Sequence, residues 1–215
     1  LELLADQQLQ RDGEDLRALP IVAIDPADAR DHDDAIWAEP DGEDGFRAVV
    51  AIADVSFYVR PGGKIDQEAR KRGNSVYFPD RVVPMLPEVL SADACSLKQG
   101  EDRAAMACHL SIGKDGALKD WRFTRAIVRI AENIAYEDAQ AQIDAGSAPE
   151  FLQNLWACWR ALETSRNRRD PLELELPERR VVLDEDGKIA EIAIRERLDA
   201  HRVVEDFMIA ANVAA

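Results

Sequence analysis

"DPADARDHDDAIW", residues 25–37, is the stretch on which the reading of the whole chain turns. It holds five aspartates in ten positions: Asp25, Asp28, Asp31, Asp33 and Asp34. Charges of one sign at that spacing repel each other. Just before it, "IVAID" (21–25) is a short apolar run of strand type that ends on the first aspartate. Just after it, apolar sequence resumes at Ala35. The cluster therefore sits between two buried strands, a place that a merely solvated acidic loop does not need.

Working outward, "AIWAEPDGEDGFRAVVAIADVSFYV" predicts a strand at Ala35–Ala38, a loop at "PDGEDG" and a second strand over Phe46–Val59. "AVVAIADV" is almost continuously apolar, so that second strand should lie deep in a sheet. Residues 61–73 predict a turn and a short helix ending at Gly73. Prolines at 79, 84 and 87 predict an irregular region over 74–103. "AMACHLSIG" and "ALKDWRFTRAIVRI" are strands joined at "KDG". Residues 136–145 and 149–168 read as helices, 179–196 as a hairpin turning at Asp186–Gly187, and 198–215 as a helix. On that last helix His201, Val204, Met208 and Ala211 recur at helical spacing. The order lacks regular strand–helix alternation. It predicts an α+β fold with a mixed, largely antiparallel sheet packed with helices. Residues 1–19 are polar with scattered Leu and read as a lead-in helix or linker, leaving 20–215 as the folded unit.

Composition narrows the function classes. The 215 residues are 47 % apolar, enough for a core. No uninterrupted apolar run reaches the roughly 18 residues of a membrane span, so no membrane contact is expected. The first residues have neither a basic start nor a long apolar stretch, and are not a secretory signal. Three cysteines, Cys95, Cys108 and Cys158, are far apart and odd in number, which predicts reduced, buried thiols in a cytoplasmic protein. The net charge of −15 argues against generic polyanion binding. A polyanion partner requires a local exception, such as a metal-filled acidic site. No Met begins the chain, and its last helix ends without a cap, so a piece of a longer protein is expected.

Two chemistries compete for the aspartates. A helix–loop–helix calcium site needs Gly at its sixth position. Counted from Asp31 that position is Ile36, and from Asp25 it is Arg30. The alternative is a magnesium site for phosphoryl chemistry, since Mg²⁺ prefers carboxylate oxygens and retained water. Two such ions about 4 Å apart can hold the attacking water and the leaving oxygen of a phosphodiester. Asp25 would be rigid at a strand end, and adjacent Asp33 and Asp34 would point to opposite sides. His32 is read as exposed, because Mg²⁺ does not favour imidazole. His109 and His201 receive no role. The four Trp are read as packing residues.

"AIDPADARDHDDAI" resembles the catalytic signature of the ribonuclease II / ribonuclease R family of exoribonucleases: an aspartate, five residues, then Asp-x-Asp-Asp. The resemblance continues through "AVVAIADVSFYVRPGGKIDQEARKRGNSVYFPDRVVPMLPEVLSADACSLKQGEDRAAMACHLSI" and the tail "DAHRVVEDFMIAANVAA", and covers about residues 20–215. It implies the N-terminal part of an RNB-type catalytic domain. It further implies processive 3′-to-5′ hydrolysis of single-stranded RNA to nucleoside 5′-monophosphates with Mg²⁺, for which Mn²⁺ can substitute. By the same resemblance Asp25, Asp31, Asp33 and Asp34 are the catalytic and metal-site aspartates, with Asp33 the most critical to chemistry. Tyr77 matches a tyrosine that contacts the terminal nucleotides. Tyr136 and Glu205 match positions along the RNA channel. Asp28 matches no assigned role. A downstream Ser-Pro-x-Arg-Arg-Tyr-like segment is not in this sequence, nor are the small β-barrel RNA-binding domains that flank the family's catalytic domain. Both are expected in the parent chain, and the piece alone is expected to turn over poorly. The competing expectation is an inactive RNA- or protein-binding module that retains the fold.

Overall fold

Runs such as "AVVAIA" have no polar face, so a strand built from them must be covered on both sides. The computed structural model describes residues 13–43, 45–169, 178–184, 186–195 and 197–215, and it shows that arrangement. Eleven described strands are β1 (Glu14–Asp15), β2 (Val22–Asp25), β3 (Asp34–Pro40), β4 (Gly45–Ala53), β5 (Val76–Tyr77), β6 (Val82–Val83), β7 (Asp102–Gly113), β8 (Leu118–Arg129), β9 (Glu132–Ala135), β10 (Glu178–Leu183) and β11 (Ile189–Arg195). The described helices are α1 (Val55–Tyr58), α2 (Lys64–Arg72), α3 (Tyr136–Asp144), α4 (Glu150–Asn167) and α5 (Asp199–Ala214), with a π-helical turn at Leu90–Ala94. Seven strands form one sheet in the order β1-β8-β7-β4-β3-β2-β9. Its inner pairings are antiparallel, and the two edge pairings, β1 with β8 and β2 with β9, are parallel. The mixed, largely antiparallel α+β expectation therefore holds.

Alternation along each strand sends side chains to two cores. Val22, Ile24, Ile36, Ala38, Ala48, Val50, Cys108 and Leu110 face the helices. There they meet the stripe Leu152, Leu155, Trp156, Trp159 and Leu162 of α4, whose spacing of three and four residues is one helical face. On the other side Ala23, Ala35, Trp37, Val49 and Ala51 meet Leu16, Cys95, Leu97 and Ile130, with Val55 and Tyr58 of the short α1 and Leu90 of the π-helical turn packed against them, so loops and short turns of helix rather than long helices cover that face. All three cysteines are free and buried. No described helix is long and apolar enough to cross a membrane.

Several expectations need correction. The second arm of the first hairpin ends at Ala53, not Val59, because Asp54 turns the chain and Val55–Tyr58 is helical. The lead-in at 1–19 lies outside the described residues up to 12. Its remainder is not helix: Glu14–Asp15 pairs with Ala126–Ile127 and Leu16 is buried. On α5 the buried face is centred on Val203, Phe207 and Ala210, and His201 and Met208 lie at its flank. The strand β9 had no forecast. Its four residues carry a single buried apolar side chain, Ile134, too little pattern to detect.

The β7–β8 hairpin rests its tip on α4. Gly116 has φ +76°, and a Cβ there would lie 1.9 Å from the Ala161 carbonyl oxygen and 2.8 Å from Ser165 Cβ. Gly116→Ala should therefore destabilise the chain by about 2–4 kcal/mol, combining a left-handed backbone cost with overpacking. Urea unfolding of both proteins measures this. A midpoint within error of wild type would show that the tip does not bear on the helix.

Candidate active site

The sheet's register gathers the aspartates. Asp25 ends β2 opposite Ala135, the last residue of parallel β9. Asp34 begins β3 opposite Ile52. Val22 pairs with Ile36, and that antiparallel register carried three residues on sets Asp25 opposite Asp33. The Ala53 N–H donates to the Asp33 carbonyl at 2.8 Å, which ties Asp33 to the end of β4. Asp31 lies two residues before Asp33 in the connecting segment, and its Oδ2 accepts from the Tyr77 hydroxyl at 2.6 Å. Tyr77 stands on the small β5–β6 hairpin and is 61 % exposed.

Electrostatics shows the cost of this gathering. Asp34 is half-buried, and lost hydration, followed by the charges of Asp25 and Asp33, pushes its carboxyl up to about 6. Asp33 is raised too, by lost hydration first and then by Asp31 and Asp25. His32 partly compensates. Its Nδ1 lies 2.6 Å from Asp25 Oδ2, and that hydrogen bond raises the imidazole pKa against the opposing effect of burial. The hydrogen bond to Asp31 likewise pushes the Tyr77 phenol up to about 12.

His32 is thus half-buried and bonded to Asp25, not exposed as expected. A run of acids flanking it hides this in sequence, because the partner lies seven residues back across a turn. Its backbone is also held: Ser96 Oγ accepts from the His32 N–H at 3.0 Å, and the His32 carbonyl accepts from the Leu97 N–H at 2.8 Å. Ser96 was not singled out from sequence. The available signal was a lone hydroxyl between the buried Cys95 and Leu97.

The other sequence candidates fall at different distances from this centre. Tyr136 follows Ala135 directly, so it lies beside the end of Asp25's strand, and its ring stacks on His201 at 4.0 Å and 14°. Glu205 is exposed on α5, and its described ion pair is with Arg197 rather than with the aspartate segment. Asp28 is exposed in the turn between Asp25 and Asp31. Arg70, Lys71 and Arg72 of the basic run on α2 pair with Asp66 and Glu68 of the same helix.

As a donor set, four carboxylates suit a hard divalent ion. As placed, no three His, Cys, Asp or Glu side chains among the described residues are close enough together to hold one. Two of the four are engaged, Asp25 by His32 and Asp31 by Tyr77. The chemistry of the donors fits, and their closure onto an ion would displace or share those two contacts.

A family model described as RNB domain matches residues 13–215. The chain belongs to the RNB domain family. It is 41 % identical over 209 residues to ribonuclease R of Vibrio parahaemolyticus, covering 94 % of this chain and 25 % of that relative. Among solved structures it resembles Mycoplasma genitalium RNase R in complex with ribose-methylated single-stranded RNA, with a TM-score of 0.90 and 28 % identity over 98 % of this chain and 35 % of that one. Yeast Ssd1, described as a pseudonuclease, shares the fold at TM-score 0.73 and 19 % identity, over 94 % of this chain and 25 % of that one. The RNB unit seen here thus spans about a quarter of the length of the curated relative.

The raised Asp34 carboxyl makes a signed prediction for the chain without metal. A folded-state pKa above the ordinary carboxylate value means that ionisation costs stability. The stability of the protonated form is complete below pH ~4 and is lost as pH rises through about 6. Asp34→Asn should therefore raise the unfolding free energy at pH 8 in EDTA by roughly 1–3 kcal/mol, and the gain should shrink towards pH 4. Denaturant melts at both pH values test it. A loss of stability at pH 8 would mean that Asp34 is a structural acid.

Proposed function

We propose that the full-length protein is a divalent-metal-dependent 3′-to-5′ exoribonuclease. It hydrolyses single-stranded RNA processively to nucleoside 5′-monophosphates, and this RNB unit supplies its catalytic carboxylates. The observation that carries the proposal is the gathering of Asp25, Asp31, Asp33 and Asp34 at one end of the sheet against their own repulsion. Structural acids are stabilised by their partners, whereas functional ones are tolerated at a cost. Family membership and the RNA-bound state of the Mycoplasma relative support the substrate class.

Asp25, Asp31, Asp33 and Asp34 would hold the cation, for which Mg²⁺ is proposed and Mn²⁺ is an acceptable substitute. Bound there, the cation supplies Lewis-acid charge neutralisation at the phosphodiester and acidifies water. The chain's own residues do the rest. Asp25 and Asp34 are fixed by β2 and β3 and give the site its rigid wall. Asp33 is the most accessible of the four, which supports giving it the side of the cation that would face the reacting phosphate. Tyr77, anchored through its hydroxyl, presents an exposed ring on which a terminal base can stack, a contact worth about 1–3 kcal/mol. Tyr136 and Glu205 are assigned to the RNA path on the sheet's helix side. The buried free thiols support a cytoplasmic setting. The β-barrel RNA-binding domains belong to the remaining length of the parent protein.

The rival is a binding module without turnover, a possibility that the likeness to Ssd1 keeps in view. Retention of all four aspartates weighs against it. A 5′-labelled RNA with a 3′ extension separates the two. With Mg²⁺ the full-length protein should shorten it stepwise from the 3′ end, and EDTA should stop the reaction. Asp33→Asn should slow it by roughly a hundredfold or more with RNA affinity unchanged. Undiminished binding without cleavage by the wild type would establish the module instead.

A further inference from the structure

Among the described residues three polar or charged side chains are buried: Asp54, Ser96 and Asp206. Burying such a group costs free energy unless it is hydrogen-bonded, so each one marks a specific contact. Asp206 accepts from Trp159 Nε1 at 2.8 Å and from Arg166 at 2.9 Å, which ties α5 to α4. Asp54 accepts from Ser56 Oγ and faces Arg125. Ser96, with no exposed surface, is committed to the aspartate segment. Its Oγ accepts from the His32 N–H at 3.0 Å and donates to the Arg30 carbonyl at 3.1 Å.

The mount that carries Ser96 is fixed from two strands. Arg103 Nε, on β7, donates to the Ser96 carbonyl at 2.9 Å. Asn133, on β9, donates through Nδ2 to the Leu97 carbonyl at 3.0 Å and accepts the Gln99 N–H at 2.7 Å. With Leu97 N–H bonded to the His32 carbonyl, both backbone groups of His32 are taken by the Ser96–Leu97 pair. His32 is flanked by Asp31 and Asp33, and its ring holds Asp25.

We propose that Ser96 is a positioning residue: it clips the Arg30–His32 backbone to the sheet, so that Asp31 and Asp33 stay beside Asp25, against their repulsion, within reach of closing onto a divalent cation. The role rests on the metal-dependent function proposed above. Groups that orient metal-binding side chains from behind typically set about 10–100-fold of affinity or rate.

The test uses the full-length protein and Mn²⁺ as probe, with free Mn²⁺ counted by electron paramagnetic resonance independently of turnover. Ser96→Ala and the near-isosteric Ser96→Cys are compared with Leu152→Ala, a helix-layer variant that lowers stability far from the clip. Both Ser96 variants should bind Mn²⁺ roughly tenfold or more weakly, and the Mn²⁺ needed for half-maximal cleavage should rise by a similar factor. RNA affinity in EDTA should not change, and Leu152→Ala should leave Mn²⁺ affinity intact. Should Ser96→Ala fail to fold, Ser96→Cys, which leaves no void, decides. Mn²⁺ affinity in the folded Ser96 variants equal to wild type, or lowered no more than in Leu152→Ala, would overturn the role and leave the proposed function standing. A wild-type protein that binds no Mn²⁺ would overturn both.

Discussion

Desolvating an unpaired carboxylate in mid-strand is costly, so a sheet covered on both faces can carry acids only near the ends of its strands. That constraint organises this molecule. Its central strands, β2, β3 and β4, are apolar for nearly their whole length because helices cover one face and the 90–99 segment the other. Charge is confined to where they stop. Asp25 closes β2, Asp34 opens β3, and Asp54 follows β4. The antiparallel pairing of these strands puts all three positions at the same end of the sheet.

Gathering then creates a second problem, which local contacts only partly relieve. His32 is hydrogen-bonded through Nδ1 to Asp25, and the Tyr77 hydroxyl donates to Asp31. Asp33 and Asp34 retain the strain, visible as pKa values raised by lost hydration and by each other's neighbours. A loop free to relax would spread these groups apart. It does not, because the Asp33 carbonyl is bonded to Ala53 at one side and the His32 backbone to Ser96 and Leu97 at the other. The strain is therefore held by backbone hydrogen bonds, each modest by itself, that do not involve the carboxylates at all.

How legible this was in the sequence follows from the range of each interaction. The aspartate cluster, the strand before it and the continuous apolar run of β4 are local patterns, and with the order of the later elements they predicted the fold class and marked the segment on which the candidate site is argued. The long hairpin of β7 and β8 and the helices α4 and α5 announced themselves by period and turn residues. What escaped depends on partners distant in sequence. Ser96 meets His32 across 64 residues. β9 earns its strand only by pairing with β2, more than a hundred residues earlier. The strand expected through Val59 ends at Ala53 because "DVSFYV", despite its strand-like composition, turns at Asp54 into the helix Val55–Tyr58. Tyr136 follows the strand that pairs with Asp25's, and its stacking on His201 required two helices to be docked first.

The acidic balance of the chain, −15, raises a question about a polyanionic substrate, and the ion pairs suggest an answer. Many described basic side chains are already committed: Arg17 and Arg129 to Asp102, Arg122 to Glu14, Arg166 to Asp206, and Arg70, Lys71 and Arg72 of α2 to acids on their own helix. A dense set of free Lys and Arg next to the aspartates would pair with them directly. Such pairs would lower the carboxylate pKa values and relieve the repulsion, but they would also compete with any exchangeable divalent ion for the same oxygens. A site meant to recruit such an ion does better with its like charges left partly uncompensated and its backbone clipped. On the function proposed here, the cationic surface that attracts RNA phosphates then belongs at a distance, in the rest of a protein of which this unit spans about a quarter of the matched relative's length. On that proposal, keeping attraction and chemistry on separate surfaces would make an acidic catalytic unit compatible with an acidic substrate.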